Sequence, residues 1–339
     1  MISRRTLYSL VVFLGLIAGC LPAAHAKTFK IATLAPDGTT WMQEMRAAAD
    51  QIEKQTEGRV RFKFYTGGVM GNDQAVLRKM RIGQLQGGAL TSGSLAGVFP
   101  DIQIFNIPFL FDSYKEANAV RAEMDGFVRD GLKRHGLVTL GISSGGFAYV
   151  MSNTPIRNIE ELRTHKIWVP QGDAMTEAIF QEMGDTPIPL AMSDVYMGLQ
   201  TGMIDTVEVT PTAAIALQWY TKLGAVTDVP LAYLMGIFVV NRRDFERLSP
   251  ADRTVVKKVL AQTFNTLSRL NEQDNQKALQ VLKQRGLQLV RPQAEELDRW
   301  HALAGKVTIR LSREGTFSQA AYQTLEKHIK AYRQQHASK

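Results

Sequence analysis

Cysteine is almost absent from this chain, because Cys20 is the only one among 339 residues. Removal of a leader that contains Cys20 would leave no disulfide to stabilise the protein, which then depends on a large apolar core. Long apolar runs are also missing. The runs at residues 10–18 and 229–240 are shorter than the about 20 residues that span a bilayer. Such a sequence is typical of a protein with a large globular core.

Motifs that mark common enzymes and nucleic-acid binders are scarce as well. The sequence contains no H-E-x-x-H, Walker A or G-x-G-x-x-G pattern, and its histidines outside the leader are scattered. The formal charge is +8, and it falls to +6 without Arg4 and Arg5. Basic and acidic residues alternate along the chain, which is typical of a solvated surface and not of a nucleic-acid patch. We therefore expect neither an enzyme nor a nucleic-acid-binding protein.

The first 26 residues are predicted to be a secretion signal. A basic start is followed by the apolar run at residues 10–18 and by the small-residue pattern AHA, which ends at Ala26. We expect cleavage after Ala26 and a periplasmic protein. An alternative is that the segment IAGC, which ends at Cys20, serves as a lipobox. In that case Cys20 would be acylated and the protein would be a lipoprotein.

Two parts of the chain show the same alternation of strands and helices. In the first, predicted strands at 29–33, 60–65 and 87–90 alternate with helices at 41–55 and 72–82. In the second, strands at 166–169, 186–190 and 204–209 alternate with helices at 173–183 and 193–200. This order predicts an α/β protein with open, mostly parallel sheets. Two such lobes predict a ligand cleft between them, at the carboxyl ends of strands and facing helix N-termini.

A long helix is predicted in the last third of the chain. Ser249 is a suitable N-cap, Pro250 takes the first helical position, and no helix breaker follows until Gly286. Such a helix would be roughly 50 Å long and could span both lobes. We divide the chain into a leader at 1–26, a first lobe at 27–148 and 234–270, and a second lobe at 149–233 and 271–339.

Five segments carry a specific pattern when they are taken in order: GRVRFKFYTGGVMGNDQAVLRKMRIGQLQGGAL, FPDIQIFNIPFLFDSYKEA, PIRNIEELRTHKIWVP, PIPLAMSDVYMGLQTGMIDTVE and DFERLSPADR. In this order they resemble the solute-binding subunits of tripartite ATP-independent periplasmic (TRAP) transporters, the C4-dicarboxylate-binding family. The resemblance implies two α/β lobes, joined by β-strands and crossed by a long helix, that close over a small organic acid. It implies that the closed complex delivers this solute to the TRAP membrane permease subunits. A binding protein that presents its solute to a sensor is the alternative, and in either case we expect a monomer.

The chain departs from this family's pattern at two positions. The family usually has an arginine where this chain has Trp168, and that arginine binds the substrate carboxylate through two hydrogen bonds. A second arginine is common where the segment GGFAYV places Ala148. A buried carboxylate without a paired charge costs several kcal/mol. We therefore expect a small organic acid other than a simple C4-dicarboxylate.

Three kinds of solute remain open. An acid with a large apolar or aromatic part could stack on Trp168, Phe147 or Tyr149. An acid could instead be bridged by a divalent cation such as calcium, with oxygen ligands from Gln171 and Glu208. A neutral or cationic solute could be held by the acidic side chains, with the aromatic rings making cation–π contacts.

The candidate ligand-binding residues follow predicted strand ends, begin helices or match positions that line the family's cleft. They are Thr33, Leu34, Asn72, Thr91, Ser92, Phe147, Tyr149, Trp168, Gln171, Asp173, Glu208, Thr210 and Tyr233. Several have a structural alternative: Trp168 could pack in the core, Asn72 and Asp173 could cap helices, and Tyr233 could lie at the hinge. A charge at Glu208, inside an apolar strand, needs a partner and so favours a functional role.

Overall fold

The protein is built around one large mixed sheet. The computed structural model describes residues 26–336. The predicted leader, with the alternative acylation site Cys20, lies outside the described residues except for its last residue, Ala26. The sheet contains eight strands: β1 (Lys27–Thr33), β2 (Val60–Tyr65), β3 (Gly87–Thr91), β4 (Leu137–Ser152), β7 (Thr206–Val209), β8 (Ala225–Thr227), β9 (Ala232–Asn241) and β10 (Gln288–Val290). A separate parallel pair consists of β5 (Trp168–Pro170) and β6 (Ile188–Leu190).

The strands of the large sheet follow the order β10-β8-β4-β9-β3-β1-β2, and β7 also pairs with β4. β1 pairs in parallel with β2 and β3, while β4 and β9 pair antiparallel over most of their length. The far end of β4 pairs with β7 and β8 instead. The two long strands therefore join a first lobe around β1–β3 to a second lobe around β5–β8, which confirms the two-lobed α/β fold.

The glycine pair in the middle of β4 forms a bulge and not a turn. Gly145 and Gly146 lie inside the strand, at a shift in the β4–β9 register. Gly146 has a φ of +102°, and a Cβ atom there would lie 2.3 Å from Nδ2 of Asn275. Only glycine fits this bulge, because a side chain would be strained by the backbone and would collide with the buried asparagine.

Eleven α-helices accompany the sheet within residues 26–336. They are α1 (Thr40–Gln55), α2 (Asp73–Arg81), α3 (Tyr114–Arg134), α4 (Ile159–Leu162), α5 (Ala174–Glu182), α6 (Val195–Thr201), α7 (Pro211–Ala216), α8 (Arg242–Glu246), α9 (Pro250–Gln284), α10 (Ala294–Arg313) and α11 (Gln319–His336). None of these helices has the length and apolar character needed to cross a membrane.

The long helix α9 connects the lobes, as predicted. Ser249 caps its first turn by accepting a hydrogen bond from the N–H of Asp252 at 3.0 Å. The helix has 35 residues and packs against α1 in the first lobe, against β4, and against α7 in the second lobe. Its buried Asn275 donates to the carbonyl of Gly145 at 3.0 Å and accepts from the hydroxyl of Thr212 at 2.8 Å. One side chain thus links the β4 bulge to the second lobe.

The predicted starts of two helices that face the cleft are confirmed, and a third is wrong. Asn72 caps α2 by accepting from the N–H of Ala75 at 3.0 Å, and Asp173 caps α5 by accepting from the N–H of Thr176 at 3.2 Å. Ser193 does not cap α6, because this helix begins at Val195 after a short 3₁₀ turn that contains Ser193.

The last helix packs on elements of the first lobe. α11 lies against α3 and against the 3₁₀ segment Pro100–Asn106, and Arg333 contacts Glu116 at 2.6 Å. The preceding helix α10 packs against α5 instead. The division made from the sequence had placed residues 271–339 together in the second lobe, whereas the contacts of α11 are with residues assigned to the first.

Candidate functional site

A cavity of about 160 Å³ lies between the two lobes. The first lobe contributes the chain after β1, the start of α2 and the segment after β3. The second contributes the ends of β5 and β7 and the starts of α5 and α7. β9 completes one wall. The site therefore forms where α/β folds place ligands, at strand ends that face helix N-termini.

The lobes touch each other across this cavity. Nδ2 of Asn72 in the first lobe donates to Oε1 of Gln171 in the second at 3.1 Å. A Cβ atom built on Gly93 of the first lobe would lie 3.6 Å from Oδ2 of Asp173 in the second. These contacts describe lobes that are closed over the cavity.

Glu208 on β7 faces the cavity. Its neighbour across the strand pair is Val150, and among residues 26–336 no donor forms a hydrogen bond to its carboxylate. Burial, and to a smaller extent the negative charge of Asp173, raise the pKa of Glu208 to about 8. Glu208 is therefore mostly protonated at neutral pH unless a positive group enters the cavity.

Two further carboxyl groups line the same space. Asp73 accepts hydrogen bonds from the N–H and the hydroxyl of Thr91 at 3.0 and 3.1 Å. Asp173 accepts from the N–H and the hydroxyl of Thr176 at 3.2 and 3.0 Å. Burial raises the pKa of both aspartates, and these hydrogen bonds act in the opposite direction. No lysine, arginine or histidine of the described chain lines the cavity.

Trp168 belongs to the cavity wall and to the core at once. It is only 1 % exposed, and its ring packs edge-on against Trp219 at 5.3 Å between centroids. Its indole N–H donates to the carbonyl of Leu190 at 3.1 Å. The polar end of the ring is therefore already satisfied by the protein, so Trp168 can offer a solute apolar surface and not a hydrogen bond.

A small apolar pocket adjoins the cavity. It shares Thr176 and Glu208 with the main cavity, and the rest of its wall includes Phe109, Phe180 and Trp300. Its volume is about 20 Å³, which is room for about one water molecule. The Glu208 carboxyl group thus lies between a polar cleft and an apolar pocket, which accounts for the cost of ionising it.

Nine of the thirteen candidate residues line the cavity: Leu34, Asn72, Thr91, Ser92, Trp168, Gln171, Asp173, Glu208 and Thr210. The other four lie elsewhere. Thr33 accepts a hydrogen bond from the N–H of Ala35, and Phe147 and Tyr233 pack on each other in the core. Tyr149 lies on β4 between two core clusters.

Several lining residues were not predicted from the sequence, above all Asp73, Gln74, Ser94, Asn106 and Thr176. Asp73 and Gln74 directly follow the predicted cap Asn72, so their position was available. Asn106 had no signal, because it belongs to a 3₁₀ segment that only the fold brings beside β3.

One sequence pattern of hydrolases does occur, since Gly141–Gly145 reads G-x-S-x-G. In hydrolases the serine of this pattern lies on a sharp strand-to-helix turn. Here the segment lies inside β4, and Ser143 is buried there, away from the interlobe cavity. The pattern therefore marks no nucleophile.

The possible cation site stays a prediction. Gln171 and Glu208 both line the cavity, as the bridging role would require. Within residues 26–336, no group of three or more histidine, cysteine, aspartate or glutamate side chains is arranged to hold a metal ion.

Two lobes that close over a cavity lined from both sides are the arrangement that the sequence predicts for a solute-binding protein. The chain belongs to the family of bacterial extracellular solute-binding proteins, family 7, which matches residues 31–314. This is the DctP-type family of TRAP solute-binding proteins, which are periplasmic, bind small organic acids and work with TRAP permeases. Its members serve transport and are not enzymes.

An individual relative agrees with this assignment, and solved structures share the fold. The C4-dicarboxylate-binding periplasmic protein DctP of Rhodobacter capsulatus is 27% identical over 294 residues, which cover 84% of this chain and 87% of that protein. A TRAP periplasmic solute binding protein from Desulfovibrio salexigens, with bound orotic acid, has a TM-score of 0.83 at 20% identity and covers 90% of this chain and 99% of its own. The sugar acid binding protein DctPAm of Advenella mimigardefordensis, in complex with galactonate, has a TM-score of 0.84 at 19% identity. The match covers 91% of this chain and 99% of that protein.

Proposed function

We propose that this protein works in the periplasm as a monomer, captures a small organic acid between its lobes and delivers it to the membrane subunits of a TRAP transporter. The observation that carries this proposal is the cavity to which both lobes contribute polar side chains. A solute that contacts both lobes stabilises their closed arrangement relative to the open one, and this difference drives closure.

The proposed acid is not a simple C4-dicarboxylate. The relatives' names mention a C4-dicarboxylate, orotic acid and galactonate as ligands of those proteins. In this chain Trp168 and Ala148 replace the arginines that the resemblance leads us to expect, and no basic residue of the described chain lines the cavity. Two carboxylates placed beside Asp73 and Asp173 would be repelled by these groups without any compensating charge.

A thermal-shift screen of the chain from residue 27 onward tests the proposal. We expect at least one small organic acid to raise the melting temperature by about 3–5 °C at 100 times its Kd, because a ligand that binds only the folded state stabilises it. We expect succinate, malate and fumarate to change the melting temperature by less than about 1 °C. A full shift with succinate would contradict the exclusion of C4-dicarboxylates.

The variant Gly93→Phe provides the control for the location of the site. A side chain at Gly93 would enter the gap between Nδ2 of Asn106 and Oδ2 of Asp173, and we expect it to abolish the shift. Gly97→Phe is the matched variant, since Gly97 is exposed and has no neighbour within 4 Å of its Cβ position. An unchanged shift in Gly93→Phe would show that the solute binds outside the cleft.

A further inference from the structure

The ionisable side chains of the cleft are acidic, whereas a solute that is only an anion would need basic ones. Its ionisable side chains are Asp73, Asp173 and Glu208, and no basic residue among the described ones reaches it. The small apolar pocket behind Glu208 adds no other ionisable group. An anion alone would be repelled by Asp73 and Asp173 and could only accept a hydrogen bond from the protonated Glu208, whereas a cation would be attracted by the aspartates and would also favour the ionised form of Glu208.

The carboxyl groups differ in how far the protein satisfies them. Asp73 accepts two hydrogen bonds from Thr91, and Asp173 accepts two from Thr176. The Glu208 carboxylate accepts none from the described residues, and it lies near enough to Asp173 to sense its charge. A positively charged donor between Asp173 and Glu208 would supply the hydrogen bonds that Glu208 lacks and would relieve the repulsion between the two.

An unused donor lies on the other side of the same gap. Asn106 is only 6 % exposed, and its Oδ1 accepts from the hydroxyl of Ser92 at 2.7 Å. Within the described part of the chain, Nδ2 of Asn106 has no acceptor. A Cβ atom built on Gly93 would lie 3.1 Å from this Nδ2 and 3.6 Å from Oδ2 of Asp173. The amide of Asn106 and the carboxylate of Asp173 therefore face one gap, which the glycine leaves open.

We propose that the cleft binds a small organic acid that also carries an ammonium group, with the ammonium between Asp173 and Glu208 and the carboxylate at the amide of Asn106. This inference rests on the proposed function and names its substrate class. The cavity volume of about 160 Å³ restricts the solute to a compact amino acid, because an apolar cavity of about 150 Å³ admits benzene.

The proposed contacts set the direction in which affinity changes with pH. Because the pKa of Glu208 is about 8, the free protein holds a proton there at pH 7. An ammonium group favours the ionised carboxylate, so binding releases this proton and the affinity rises up to about tenfold per pH unit below pH 8. A plain acid that accepts a hydrogen bond from the protonated Glu208 would bind more weakly above pH 8.

The test is calorimetric titration of the chain from residue 27 onward at pH 6, 7 and 8. The ligands are 2-amino and ω-amino acids of three to six carbons, each paired with its hydroxy acid, such as alanine with lactate and 4-aminobutanoate with 4-hydroxybutanoate. We expect at least one amino acid to bind about 100-fold more tightly than its hydroxy partner at pH 8. We expect Glu208→Gln to reduce this preference to about tenfold or less, and Glu295→Gln, an exposed exchange on α10, to leave it unchanged.

Three results would overturn the inference. The first is tighter binding of the hydroxy acids, and the second is no binding of any amino acid of the panel. The third is binding of propylamine as tight as that of 4-aminobutanoate. Because propylamine lacks the carboxylate, this result would show that Asn106 does not bind a carboxylate. Each of these results leaves the proposed function intact. The proposed function fails on a different observation, which is undiminished binding of an acid to Gly93→Phe.

Discussion

Replacing Glu208 with glutamine is expected to make the protein more stable at pH 8 and to flatten the dependence of its stability on pH. Glu208 has a pKa of about 8 in the folded protein, against an ordinary value of 4.5. The folded state therefore binds more protons than the unfolded state between these values, and the contribution of Glu208 to stability decreases as pH rises through this window. We expect the free energy of unfolding of the variant, minus that of the wild type, to be about 2–4 kcal/mol larger at pH 8 than at pH 5. Because Glu208 faces a cavity that admits water, this range lies below the value for a carboxyl group fully shielded from solvent.

Urea unfolding of the unliganded protein between pH 5 and pH 8.5 measures this effect. Glu295→Gln is the control, because Glu295 is exposed and its exchange should leave the pH dependence of the wild type unchanged. An identical pH dependence in the wild type and in Glu208→Gln would mean that Glu208 is not held protonated by the cleft. The gain in stability also matters for the binding experiments, since a loss of affinity in Glu208→Gln could then not be attributed to unfolding.

Trp168→Ala is expected to destabilise the protein by about 3–5 kcal/mol, because removing a fully buried tryptophan leaves a cavity that the surroundings fill only in part. Trp168 packs on Trp219, and its N–H bonds to the carbonyl of Leu190. The same ring forms one wall of the cleft, so we also expect the variant to lose the thermal shift with the solute.

Trp168→Phe is the matched variant, because it retains an aromatic ring and removes only part of the volume and the indole hydrogen bond. We expect it to lose about 1–2 kcal/mol of stability and to keep part of the thermal shift. Urea unfolding at pH 7 separates the two variants. A loss of less than about 1 kcal/mol in Trp168→Ala would show that Trp168 does not pack as the structure describes.

The sequence predicted the first lobe well, because its elements are local and amphipathic. The helix α1 begins one residue before its predicted start and ends where predicted, it buries Met42, Met45, Ala48 and Ile52 on one face, and β2 has the predicted bounds. The caps of α2, α5 and α9 were also predictable, since capping depends on a few neighbouring residues.

The two long strands could not be predicted in the same way. β4 contains three glycines and a bulge, and β9 is buried along most of its length and shows no alternation of polar and apolar residues. Both are specified by their mutual pairing, and a pattern search along the chain does not detect such pairing. Their role as the connection between the lobes therefore came only from the resemblance and from the structure.

The candidate site was predictable where a single side chain breaks a local pattern. Glu208 interrupts an apolar strand, and Trp168 replaces an expected arginine at a strand end, so both could be found. Asn106 could not, since it reaches the cleft only because its 3₁₀ segment packs beside β3. The Asn106 amide faces the Asp173 carboxylate across the gap at Gly93, and this arrangement forms only because the fold brings together two lobes that are distant in sequence.

The most direct test of the central claim, a solute held between two closed lobes without a basic side chain, is a crystal structure of the chain with the acid that gives the largest thermal shift. We predict that the solute lies between the lobes, with Glu208 on one side and Asn106 on the other. A solute bound outside this cleft, or one whose carboxylate lies within about 4 Å of a lysine or arginine side chain, would contradict the account.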